Sequence, residues 1–131
     1  KNMLKEITQK NLDIIFGSRY MKNAGSEDDD LITSIGNFIF TLIGKIFFSL
    51  RISDILYTYV LGKTKLVKDL NLKYYDFKFC IELPIKAHRM NYKYAAYPCH
   101  ERKRIAGKKK VSPCLDGFRI LLGMVSLFFN R

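Results

Sequence analysis

Cysteine and histidine are scarce in this chain, and their scarcity excludes several kinds of protein. There are three cysteines and two histidines in 131 residues. Cys80, Cys99 and Cys114 are odd in number, and no two are spaced as CxxC. That argues against a disulfide framework or a structural zinc site and leaves reduced thiols as the default. Cys99-His100 reads as an ordinary thiol beside an ordinary histidine rather than as a metal pair. No GxGxxG, Walker loop, HExxH or GxSxG occurs, and nothing in the spacing of Ser, His and Asp signals a catalytic triad. There is no internal repeat and no signal-peptide pattern. The first residues read as the tail of an amphipathic helix, so the expectation is a portion of a longer protein.

Acidic residues are also in the minority, 12 against 23 Lys and Arg, for a net charge of +11. The excess is focused. Arg102, Lys103, Arg104, Lys108, Lys109 and Lys110 crowd around Gly107, where the loop can turn. Focused charge favours an anionic partner over general solubility, and guanidinium groups bind phosphate bidentately. A hydrophobic content of 48% argues against disorder, and the length suits one domain with one core.

Taken in order, residues 2–10 read as a helix with Met3, Leu4 and Ile7 on one face. The apolar run Ile14-Ile15-Phe16 suits a strand buried on both faces, as in a parallel sheet. Gly17-Ser18-Arg19-Tyr20 then falls at the carboxyl end of that strand, the edge where open α/β sheets bind ligands. Gly17 would let the backbone turn there, and Arg19 could reach a phosphate. Residues 21–30 read as a polar loop. Asp28-Asp29-Asp30 invites a metal reading, but the run precedes a helix, where acidic groups favour the positive end of the dipole.

Leu31 to Leu50 is long enough to span a bilayer. Its polar residues Ser34, Asn37, Thr41, Lys45 and Ser49 step by three and four, and Lys45 would sit deep in the hydrocarbon. A core or interfacial helix is therefore preferred to a span. Leu56 to Leu61 is β-prone. Thr64 can cap a short helix through Leu70, and Asp76 a helix from Phe77 to about Met90 that Pro84 should kink or delay. Glu82 sits among apolar neighbours and is either paired or functional. Tyr92 to Tyr97 reads as a strand ended by Pro98, with a second extended piece at 100–103. Ser112 and Pro113 open a last helix, with Asp116 in its first turn. Its apolar residues Phe118, Leu121, Leu122, Val125, Phe128 and Phe129 outnumber one narrow polar stripe. A solvated basic loop beside a core helix is the plainer reading of this end. A phosphate-binding loop beside a membrane-surface helix is the sharper one. The succession of elements gives an α/β fold.

The series Asp13 to Tyr20, Ser34-Ile-Gly-Asn37, Ile52-Ser-Asp54, Phe79 and Glu82 on a helix, Arg104 to Lys110, and Asp116-Gly-Phe-Arg119 resembles the carboxyl-terminal half of family 2 glycosyltransferases of the dolichyl-phosphate mannose synthase type. The resemblance covers nearly the whole chain. It implies a partial GT-A-type, Rossmann-like sheet with flanking helices over residues 1–112, and an amphipathic membrane-interface helix over 113–131. It also implies transfer of a sugar from a nucleotide-sugar to a polyprenyl phosphate, or a related cell-envelope acceptor, by a peripheral protein on the cytoplasmic face of the membrane. In those terms Arg19 and Ser34 hold the acceptor phosphate. Arg102, Arg104, Lys108 and Lys110 close over donor phosphates, and Asp54 is the candidate catalytic residue. A divalent cation, Mg or Mn, belongs to the complete enzyme, whose nucleotide-binding strands and DxD would precede Lys1. This chain alone is then not expected to be catalytic or to hold the metal. The implied partners are a nucleotide-sugar, a polyprenyl phosphate and an anionic membrane surface, with no nucleic acid. The alternative is a non-enzymatic basic module binding anionic membrane or nucleic acid.

Overall fold

The apolar run at the start of the chain builds the central strand of a small mixed sheet. Residues 1–107 and 112–130 are described by the structure, a computed structural model. Strand β1 (Ile14–Ser18) is buried along its whole length. It pairs in parallel with β4 (Tyr94–Pro98), Ile14 opposite Tyr94, and antiparallel with β3 (Val60–Gly62), Ile14 opposite Gly62. A second, two-stranded parallel ladder joins β2 (Gly25–Ser26) to β5 (His100–Glu101). The helices are α1 (Asn2–Gln9), α2 (Leu31–Phe48), α3 (Thr64–Asp69), α4 (Phe79–Arg89) and α5 (Pro113–Phe129). Among the described residues the fold is thus mixed α/β, with five helices around a narrow sheet.

Side chains alternate across a strand, so β1 faces two ways. Ile14 and Phe16 enter the main core with Ile81 and Ile85 of α4 and Ile120, Met124 and Leu127 of α5. Ile15 turns to the other side and packs against Met3 and Ile7 of α1. Glu82, in the first turn of α4, proves to be paired. Its carboxylate accepts the amide N–H groups of Lys73 and Tyr74 and meets Lys86 at 2.8 Å, tying the loop before α4 to the helix.

The helix ends differ from the sequence expectation in three places. Thr64 is the first residue of α3 rather than its cap, which is Lys63. Helix α4 starts at Phe79, because Asp76 accepts the Lys78 N–H in a local turn instead of capping at Phe77. Ser112 precedes α5, but its side chain makes no cap bond; Asp116 instead reaches back to accept the Ser112 N–H at 2.8 Å. Asp30 does cap α2, accepting the Thr33 N–H at 2.7 Å. Strand β3 is shorter than the β-prone segment from Leu56 to Leu61, and β2 lies in what read as loop.

Helices α2 and α5 pack against each other and present apolar faces outward. On α2 the buried residues are Asn37, Thr41, Gly44 and Phe48, whereas Leu31, Ile32, Ile35, Phe38, Ile39, Leu42, Ile46 and Phe47 are exposed. Asn37 and Thr41 of the polar stripe therefore face the protein, while Lys45 and Ser49 are exposed. The reason is local. The segment after Asp54 has no strand partner there, and Asn37 Oδ1 and Thr41 Oγ1 accept its Leu56 and Ile55 N–H groups at 3.1 and 3.2 Å. Helix α5 buries Ile120, Gly123, Met124 and Leu127. It leaves Phe118, Leu121, Leu122, Val125, Phe128 and Phe129 exposed.

Candidate functional site

Gly17 does not serve the turn that the sequence suggested. It lies within β1, and its N–H donates to the Tyr59 carbonyl at 2.8 Å. A Cβ at this position would stand 2.8 Å from that same oxygen and 3.1 Å from the Cys99 Sγ. Close approach of the backbone, not a special dihedral, is what requires glycine here. Ser18, fully buried, shares a hydrogen bond of 2.7 Å with Ser53.

Arg19 leaves the strand into a cluster of acids. Its Nε and Nη2 bind both oxygens of Asp54 at 2.7 and 3.0 Å, and its own backbone N–H reaches Asp54 at 3.1 Å. Nη1 meets Glu101 at 3.0 Å and Asp29 at 2.9 Å. The Tyr57 ring lies beneath the guanidinium, 4.6 Å away. Burial opposes the charged form. The hydrogen bonds and charge of Asp54, followed by Glu101 and Asp29, outweigh it and raise the Arg19 pKa above the ordinary arginine value. One cation thus faces three carboxylates, and the bidentate fork is already taken. Glu101 is held in turn by Ser26, whose hydroxyl donates at 2.6 Å. Asp29 accepts from Tyr20 at 2.8 Å. Burial pushes the Tyr20 phenol above its usual value, and its bond to Asp29 adds to this.

The structure brings several predicted residues to this one edge. Arg19 and Asp54 are in contact. Ser34 lies near the Tyr20 hydroxyl at 3.5 Å. Arg104 pairs with Asp28 at 3.1 Å, next to the aspartate that binds Arg19. Arg102 is exposed close by. Lys108 and Lys110 lie outside the described residues. Phe118, Leu121, Leu122, Val125, Phe128 and Phe129 are at the outer face of α5 and do not touch this edge.

Glu101, Ser26 and Asn37 were not singled out from sequence as parts of a site, and Asp29 figured only in a metal reading that was not preferred. Glu101 carried a usable signal, as the lone acid opening a basic run. The pair of Arg19 and Glu101 spans 82 residues, and no local pattern announces it. Each member of the aspartate run has its own protein partner: Arg104 for Asp28, Arg19 for Asp29 and the α2 amide for Asp30. Among the described residues no group of three or more His, Cys, Asp or Glu is placed to hold a metal ion. All three cysteines are free, and burial pushes the Cys80 thiol up to about 12. No family model matches the chain, and comparison with curated proteins and with solved structures found none that is similar to it.

Proposed function

We propose that the chain is the acceptor-side half of a family 2 glycosyltransferase of GT-A type, moving a sugar from a nucleotide-sugar to a polyprenyl phosphate or related cell-envelope acceptor at the cytoplasmic membrane face. The observation that carries this reading is a convergence. Gly17-Ser18-Arg19 and Ser53-Asp54 are far apart in sequence and both belong to the series that resembles the family, and Glu101, three residues before its Arg104 segment, joins them. They meet at the carboxyl end of a parallel strand pair, the position where such sheets bind ligands.

The chemistry suits the residues. A departing nucleoside diphosphate and a phosphate acceptor are both anions, and cations must offset their repulsion and stabilise the leaving group. The basic loop supplies them. The acceptor is already ionised at neutral pH, so no strong general base is needed. Asp54, with both oxygens on Arg19, orients that edge. The metal of the complete enzyme would be held outside these residues.

Membranes carrying the full-length protein, given labelled nucleotide-sugars and polyprenyl phosphate, should form organic-extractable labelled lipid. Arg104→Ala and Lys110→Ala should each weaken nucleotide-sugar binding about tenfold to a hundredfold, the worth of one charge-assisted phosphate contact. Absence of any sugar-nucleotide-dependent transfer would leave the second reading, a non-enzymatic basic module on anionic membrane. The outward apolar faces of α2 and α5 favour that alternative equally well.

A further inference from the structure

A groove of about 240 Å³ runs along α2 beside the Arg19 cluster, bounded by Tyr20 and Ser53 on the sheet side and by Asn37, Thr41 and Lys45 on the helix. Asn37 is 1% exposed. Its Oδ1 accepts the Leu56 N–H, which settles the orientation of the amide, and its Nδ2 has no hydrogen-bond partner among the described residues. A buried donor without an acceptor is rare and calls for an explanation. Lys45 is exposed and pairs with no carboxylate among the described residues. It stands eight residues after Asn37, about 12 Å along the axis. Both residues line the groove, and helical side chains lean toward the amino terminus, the direction in which the longer Lys45 stem must reach to meet the Asn37 amide.

No carboxylate lines the groove, and its two uncommitted polar ends are both donors. Its charge complements an anion, whereas the Arg19 fork close by is filled. Its outer rim is Phe38 and Leu42, both exposed and both part of the apolar face of α2. The ligand is therefore an anionic head with an aliphatic continuation.

We propose that this groove seats the phosphate of a single-chain isoprenoid lipid. Asn37 Nδ2 and Lys45 Nζ hold the phosphate oxygens, and the first prenyl units lie on Phe38 and Leu42. The inference rests on the polyprenyl-phosphate reading above and places the acceptor's phosphate on Asn37 and Lys45 instead of Arg19.

The test is calorimetric titration of the 131-residue chain with farnesyl phosphate, with farnesol and inorganic phosphate as separate arms. Farnesyl phosphate should bind, and more tightly than either fragment. Lys45→Gln, an exposed change that leaves the fold alone, should weaken it about tenfold or more. Asn37→Asp, which keeps the acceptor for the Leu56 N–H but replaces the donor with a like charge, should abolish it, with a thermal melt reporting on the fold. Undiminished binding by Lys45→Gln would overturn the groove and leave the polyprenyl-phosphate reading standing. No binding of farnesyl phosphate by the wild type would overturn both. Equal binding of inorganic phosphate would make the groove a free-anion site, and equal binding of farnesol a merely apolar one; either result overturns the proposal.

Discussion

Removing the Arg19 guanidinium strands Asp54, whose carboxylate is fully enclosed and has no other basic partner among the described residues. Breaking a buried pair from one side costs about 3–5 kcal/mol. Arg19→Ala should lower stability by that order in urea titrations, Asp54→Ala by less because Arg19 keeps Asp29 and Glu101, and the double variant by clearly less than the sum. Additive losses would show that the two do not act as a pair. Gly17→Ala forces a methyl against the Tyr59 carbonyl, and the oxygen cannot retreat without breaking the ladder bond. A loss of about 1–3 kcal/mol is expected, as for overpacking elsewhere. Glu82 gives a pH signature. Burial opposes its ionisation, but Lys86 and the Tyr74 and Lys73 amides outweigh that and hold its carboxyl below the ordinary 4.5. Its contribution is complete above the unfolded value and is lost as pH falls through the folded one. Glu82→Gln should flatten the acid side of the stability profile below about pH 4.5 while lowering stability at pH 7; an unchanged acid limb would refute this. Arg19 and Asp54 were both legible in the sequence as members of motifs. Their contact was not, because it joins residues 35 apart through the fold.

At the scale of the element, α2 shows where periodicity stops being informative. The stripe of Asn37, Thr41 and Lys45 was plain in the sequence, as was the helix. Which side of it faces the protein depends on unpaired amides at Ile55 and Leu56, and these are visible only once the chain after Asp54 is placed. A direct comparison follows. Thr41→Val removes the acceptor for a buried N–H and should cost about 1–3 kcal/mol, although it makes the helix more apolar. Ile39→Ser, on the outer face, should stay within about 0.5 kcal/mol. The opposite ranking would mean that the apolar face is the packed one. Helix α5 supports the parallel experiment. Phe128 packs edge-on against Phe47 and Phe48, so the informative pair is Phe118→Ser with Leu122→Ser, both exposed. The double variant should keep its melting temperature and lose flotation with vesicles. The helix is 17 residues long, about 26 Å at 1.5 Å per residue. That is short of a hydrocarbon core of about 30 Å, so it would lie in the interface rather than cross.

For the whole molecule, the α/β class was readable because buried strand, helix and strand alternate along the chain. The extended piece at 100–103 was read and contains β5, but its ladder with β2 was not, since β2 is two residues within what read as loop. That ladder carries Glu101 to Arg19, so the part of the site it builds was hidden with it. The outward apolar faces of α2 and α5 have a thermodynamic consequence. The inner faces of these helices cover the core, so on the membrane reading proposed above bilayer and fold would share the same two elements. Lipid that binds only the folded chain then acts as a stabilising ligand, worth about 2.7 kcal/mol at one hundred times its dissociation constant. The midpoint of thermal unfolding should climb with the concentration of anionic vesicles, and the climb should shrink as salt is raised.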